Sequence, residues 1–120
     1  MSEMTTFQLL ERYLDLASER HQLTVNNMAN VDTPGYRTRD LDFRRELQRA
    51  VAEGAPAPAP VLRQVSGLME RPDGNNVSLE RESLQLAEAQ LQFRIGVQLL
   101  RREFSRLLTA INGGGGSSSS

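Results

Sequence analysis

The 120-residue chain contains no cysteine, which leaves it neither a disulfide framework nor thiol chemistry. Lysine is missing too, since every basic residue is arginine. Arginine is favoured over lysine in interface ion pairs, although a compositional bias of the genome accounts for the same count. With only 38% hydrophobic and 5% aromatic residues, the chain is at most one small domain with a modest core. A formal net charge of -1 leaves no basic stripe of the kind that nucleic acid or an anionic membrane requires. No apolar run approaches the roughly 20 residues that span a bilayer, so direct membrane insertion is not expected. Met1 to Arg20 lacks a basic start followed by an apolar run, and no cleaved signal peptide is expected. The single histidine, His21, has no second histidine or acidic cluster at ligand spacing, which favours a packed role over a metal or catalytic one. Without a nucleophile and base pair, a phosphate-binding glycine loop or a metal constellation, neither a cofactor nor an enzymatic activity is expected.

What is present is helical periodicity at both ends. Thr5 and Gln8 have the spacing of a capping box, with Met4 and Leu9 placed as a hydrophobic staple. Phe7, Leu10, Leu14, Ala17, His21, Thr24 and Met28 then follow steps of three and four, one apolar seam. A second row, Leu9, Tyr13, Leu16 and Leu23, lies about 120° further round, and Glu11, Arg12, Asp15, Ser18, Glu19 and Gln22 fill the polar arc. A helix with two apolar rows touches neighbours on two sides. The first row is assigned to the chain's own C-terminal helix and the second to a neighbouring subunit, with an ordinary bundle helix wrapped by its own chain as the alternative.

The C-terminal helix is predicted from Leu79 to about Ile111, roughly 50 Å long at 1.5 Å per residue. Ser78 is its cap, with Glu80 and Glu82 in the first turn where the dipole favours them. Leu79, Leu86, Ala89, Phe93, Val97, Leu100, Phe104, Leu107 and Ile111 form its main seam, directed at the first helix. On the opposite face Leu84, Ala87, Leu91, Ile95 and Leu99 are apolar, and Arg101, Arg102 and Arg106 are basic. Leu84, Leu91 and Ile95 join Leu9, Tyr13, Leu16 and Leu23 in the predicted subunit interface. Gly96 costs about 1 kcal/mol relative to alanine in a helix interior, accounted for by close approach of another helix or by a tolerated weak point.

Between the helices, Asp40 or Asp42 offers a cap for a short helix through about Ala52, closed by Gly54. Ala55 to Pro60 alternates alanine and proline, which favours an extended polyproline II spacer. Val61 to Met69 reads as a short extended segment and Arg71 to Asn76 as a turn, together the expected mobile part. Asn112 and Gly113 are expected to end the last helix, and Gly113 to Ser120 reads as a flexible linker or a scar, outside the fold. The resulting division is 1–36 helix and turn motif, 37–78 variable middle with its proline-rich linker, 79–112 C-terminal helix, and 113–120 tail. The expected fold is mainly α: two long terminal helices packed as an antiparallel coiled-coil pair, with a turn motif and a poorly ordered or extended middle.

The most concentrated information lies in Asn26 to Tyr36, N-N-M-A-N-V-D-T-P-G-Y. Asn30 is a residue that tolerates the left-handed conformation of a helix C-terminus, Pro34 forbids continuation, and Pro34-Gly35 suits a type II turn from Thr33 to Tyr36. Asn27, Ala29, Asn30, Thr33, Pro34, Gly35 and Tyr36 resemble the A-N-x-A-N-x-x-T-P-G-Y signature of the flagellar basal-body rod and hook family, with Asn26 departing where alanine is usual. Arg37, Arg39, Asp40, Leu41, Asp42 and Phe43 look like the continuation in the family's proximal-rod branch. Asp73 to Glu82, D-G-N-N-V-S-L-E-R-E, resembles the same branch's entry into its last helix. The resemblance covers roughly everything but residues 44 to 70 and the last eight.

From the residues alone, a helix pair with unpaired apolar rows reads as an assembling subunit. The competing class is a soluble helical adaptor or export chaperone that binds a partner helix. The resemblance implies a structural subunit of the periplasmic rod of the bacterial flagellum, exported by the flagellar type III apparatus and carrying torque. It further implies contacts with FlgC and the distal rod proteins, with FliE, and with the MS ring and export gate.

Overall fold

A computed structural model of the chain describes residues 3–113. It is mainly helical: α1 (Thr6–Ala29), β1 (Arg39–Asp40), α2 (Phe43–Glu53), β2 (Arg63–Gln64) and α3 (Leu79–Gly113).

The start of α1 closes as a capping box. Gln8 N–H donates to Thr5 Oγ1 at 3.1 Å, and Thr5 N–H donates to Gln8 Oε1 at 2.9 Å. Its end differs from expectation, because Asn30 has φ -103° and is not left-handed. The side chain supplies the reason. Asn30 Nδ2 donates to Asn26 O at 2.8 Å and its Oδ1 accepts from Thr33 Oγ1 at 2.9 Å, so the last turn is capped without a left-handed residue. Asp42 caps α2, accepting from Arg45 N–H at 3.1 Å, and Gly54 closes it at φ 76°, where a side chain would be strained. Ser78 Oγ accepts from Arg81 N–H at 3.1 Å at the start of α3. α3 continues through Gly113, at its expected end, while residues 114 to 120 of the expected linker lie outside the described residues.

The middle of the chain, expected to be poorly ordered or extended, is extended in places and fastened to the helices. β1 and β2 pair antiparallel, Arg39 opposite Gln64 and Asp40 opposite Arg63. The proline-rich stretch is held to both helices beside it: Arg12 donates to Pro58 O, Arg49 to Ala59 O at 2.8 Å, and Val61 N–H to Glu46 Oε2 at 3.2 Å. These bonds link residues 10 to 46 positions apart, which local composition does not reveal.

α1 and α3 pack along their lengths in opposite senses. Asn27, near the end of α1, meets Glu82 near the start of α3, whereas Phe7 and Leu100 share a cleft at the other end. Small residues line the contact: Ala17 and Ala89 are fully buried, and Gly96 lies against Tyr13 and Leu14. A Cβ built on Gly96 falls 2.7 Å from Leu14 Cδ2 and 2.8 Å from Tyr13 Cδ1, closer than packing allows. Of the two accounts of Gly96, close approach of a helix is therefore correct, and that helix is α1. Gly96→Val is expected to lower unfolding stability by about 1 to 3 kcal/mol through overpacking, measured by denaturant melts. An unchanged or raised midpoint would refute the close approach.

Two seam assignments are corrected. Leu16 and Leu23, given to a neighbouring subunit, are buried within the chain against Leu41, with Phe43 and Leu47 packed beside them. Tyr13 meets the Phe43 ring edge-on at a centroid distance of 5.0 Å. Leu9 is half-buried in a groove shared with Leu10, Tyr13, Leu47, Val51 and Leu99. The neighbour covering the second row of α1 is α2. Leu16→Asp is accordingly expected to destabilise the free chain by about 3 kcal/mol or more, since it trades a buried leucine for a buried carboxylate. An unchanged thermal melt would restore the interface assignment.

On the other seam, Leu10, Leu14, Met28, Val97 and Leu100 are half-buried between the helices, but Phe93, Phe104 and Leu107 are exposed. α3 has 35 residues against 24 in α1, so its last turns extend past the start of α1 and leave Phe104 (54% exposed) and Ile111 (64%) uncovered.

Candidate functional site

The sequence motif at 26–36 and the second motif at 73–82 meet in space and form one polar clasp at the end of the helix pair. Asn27 is its centre. From the last turns of α1, Asn27 Nδ2 donates to Arg39 O and to Glu82 Oε1, each at 2.8 Å. Its Oδ1 accepts from Tyr36 Oη at 2.9 Å and from Arg39 N–H at 3.2 Å. An amide offers two donor hydrogens and two acceptor lone pairs, so this side chain is fully satisfied while almost wholly buried. Burial raises the Tyr36 phenol above its ordinary pKa, with Glu82 raising it further and Arg39 opposing. A raised folded-state value means that the stabilisation is present below the ordinary phenol range, about 10, and is lost as pH rises through it.

Asn75 repeats the arrangement on the other motif. Its Nδ2 donates to Asn30 O at 2.9 Å and Thr33 O at 2.8 Å, and its Oδ1 accepts from Arg71 at 2.7 Å and Val77 N–H at 2.8 Å. Arg71 also donates to Val31 O and, at 2.9 Å, to Val77 O, so one guanidinium ties the chain after α1 to the chain before α3. Asn76 Oδ1 accepts from Thr38 N–H at 2.7 Å. Residues 71–76, expected to be mobile, are thus held by their side-chain amides; Asn75 and Asn76 are buried.

The turn between these contacts has a direct role. Tyr36 N–H donates to Thr33 O at 3.1 Å and Gly35 sits at φ 76°, which glycine adopts without strain. Gly35 N–H then donates to Asp73 O at 2.8 Å, and Gly74 approaches so closely that a Cβ there would lie 3.4 Å from Gly35 Cα. Of the motif residues, Ala29, Thr33, Pro34 and Gly35 are exposed, Asn30 and Tyr36 are half-buried, and Asn27 is buried.

An ionic chain extends the clasp along the helices. Asp40 on β1 receives Arg81 of α3 at 2.8 Å and lies 3.6 Å from Arg20 Nε of α1. Arg81 also pairs with Glu82 at 2.7 Å, and Arg20 reaches Gln85, Glu88 and Gln92 on α3. The bonds to Glu82 and Asp40 outweigh desolvation and raise the Arg81 pKa further, so its charge is secure. Glu82 is fully buried yet bonded on both oxygens, the condition under which a buried charge is tolerated. In the sequence, Glu82 reads as a helix-dipole residue, and nothing there assigns a role to Arg20, Arg71 or Arg81. The close spacing of asparagines was the one signal pointing to the clasp.

Leu84, Leu91 and Ile95, predicted at a subunit interface, are exposed at 67%, 50% and 38%. The clasp offers geometry rather than reactivity: it fixes how α1, β1 and α3 meet and leaves a long face of α3 bare. Such a chain is a helical structural subunit, and its relatives agree. No protein-family model matches it. It is 30% identical over 122 residues to the flagellar basal body rod protein FlgB of Salmonella typhimurium, covering 84% of this chain and 88% of that protein. Against the FlgB of Cereibacter sphaeroides it is 34% identical over 113 residues, covering 83% and 88%, and against that of Escherichia coli 27% over 122 residues, covering 84% and 88%. The chain belongs to the family of the flagellar basal body rod protein FlgB, a structural component of the flagellum and not an enzyme.

Proposed function

We propose that the chain is a subunit of the proximal part of the flagellar rod, built into it through its terminal helices. The observation that carries this reading is the pairing of a rigid clasp with an unpartnered α3: Leu84, Leu91, Phe104 and Ile111 are exposed on a helix whose angle to α1 is fixed. The two helices act as a short antiparallel coiled coil, and a subunit of fixed angle transmits torque where a hinged one would absorb it. The chain is delivered by the flagellar export apparatus and meets FlgC and the distal rod proteins on one side, and FliE, the MS ring and the export gate on the other. The intrachain seam formed by Leu10, Leu14, Ala17, Met28, Val97 and Leu100 holds the pair, whereas Leu84, Leu91 and Ile95 face neighbours.

The test is a deletion of the gene in its own host, followed by imaging of basal bodies. Basal bodies without a rod, restored by the wild-type gene, are expected. Intact rods in the deletion strain would refute the reading, and recovery of the protein only as a soluble complex of fixed size would favour a helical adaptor.

A further inference from the structure

Two faces of the α1–α3 pair carry charge that nothing in the chain answers. On α1, Glu11, Asp15 and Glu19 recur every fourth residue and share one stripe. On α3, Arg94, Arg101 and Arg102 are exposed, and Arg94 and Arg101 lie on the side away from Ala89 and Gly96, the residues that meet α1. Among the described residues, none of these six takes part in an ion pair, although nine pairs are formed elsewhere. Within one chain the stripes cannot meet, because each faces outward from its own helix.

Their surroundings match as well as their signs. Glu11 and Asp15 border a cleft of about 330 Å³ whose apolar walls are Phe7, Leu14 and Leu100. Arg94 and Arg101 lie along one side of the Leu91 and Ile95 row and Arg102 continues it; Leu91 and Ile95 are themselves exposed. One surface is an apolar cleft with an acidic rim; the other is an apolar row with a basic rim, the usual anatomy of a specific interface.

We propose that these are the two halves of one contact between copies of this chain, the acid-rimmed cleft of one copy receiving the arginine-flanked Leu91 and Ile95 of the next. This rests on the rod-subunit reading and names a partner for it. The two halves differ, so the contact is heterologous and repeats into an open helical array instead of closing as a two-fold dimer.

The experiment uses four versions of the full chain: wild type, Glu11→Arg/Asp15→Arg, Arg94→Glu/Arg101→Glu, and all four substitutions together. All four positions are on the surface, and circular dichroism melts confirm that each version folds. Should a reversal unfold the chain, Glu11→Gln/Asp15→Asn replaces it. Sedimentation velocity over a concentration series is expected to show association of the wild type that weakens with salt. Each single-face reversal should weaken it roughly tenfold or more, and the fourfold variant should recover it, because its faces are again complementary.

Unchanged association in a single-face variant would overturn the contact, and so would a wild type that stays monomeric throughout. A fourfold variant as weak as the single-face ones would assign the charges to a different protein and likewise overturn it. Complementation of the deletion strain separates the two levels. Rods that form without the gene refute the subunit reading itself, whereas rods that need the gene but accept every variant equally refute only the inter-copy contact.

Discussion

Asn27→Asp is expected to destabilise the chain by about 3 to 5 kcal/mol, the range for leaving an uncompensated charge in a buried polar site. The substitution changes almost no volume. It replaces the Nδ2 that donates to Glu82 Oε1 and Arg39 O, each at 2.8 Å, with a second carboxylate oxygen. Two bonds become two repulsions, one against a buried carboxylate, at a position shielded from bulk solvent. A proton shared between the carboxylates relieves the repulsion. The deficit relative to wild type should therefore narrow as pH falls and widen as it rises, and denaturant melts at several pH values read it directly. A variant within 1 kcal/mol of wild type at neutral pH would mean that Asn27 is not the centre of the clasp. In cells, the same variant is expected to be expressed but absent from basal bodies.

Asn75→Ala should cost about 3 kcal/mol. Four hydrogen bonds disappear at a residue with no solvent exposure, leaving Asn30 O, Thr33 O, Val77 N–H and one arm of Arg71 without this partner. Each buried group left unpaired costs roughly 1 to 3 kcal/mol, reduced here because the carbonyls after α1 are close enough to the surface to regain water. The loss should be local in character. Hydrogen exchange is expected to accelerate at the amides of residues 30–38 and 73–78 well before those at the centre of α1 and α3, because the helix contact through Ala17, Ala89 and Gly96 does not depend on Asn75. Uniform acceleration throughout the chain would show that the clasp and the helix pair open as one unit.

Features that depend on a few consecutive residues were legible in the sequence. The Thr5–Gln8 capping box, the stop at Gly54 and the Ser78 cap each follow from local chemistry within four residues, whereas of the two candidate caps Asp40 and Asp42 only the structure selects Asp42. The failures came from long-range partners. Periodicity marks Leu16 and Leu23 as apolar without saying what covers them, and the cover is Leu41 and α2, reached only after the chain has reversed. The asparagines are visible as an excess over what a turn needs, but the partners that join the two halves of the clasp lie 38 to 55 residues away. Asn30 departs from expectation for a related reason: its type permits two ways of ending a helix, and Thr33 and Asn26 together make the choice. Gly96 offered two accounts, and only the position of Leu14 and Tyr13 decides between them.

The clasp has a consequence for the order in which the chain becomes structured. Its halves are held in segments separated by tens of residues, and a half-satisfied buried network is less favourable than one left in water. Asn27 and Tyr36 gain nothing from being sheltered until Glu82 arrives, nor does Asn75 until Asn30 and Thr33 are in place. Whichever end of the chain is free first, the network therefore stays open and hydrated, presenting amides and charges rather than adhesive aliphatic surface. It works as a completion check: a chain missing either segment keeps a loose angle between its helices, and only the complete one fixes it.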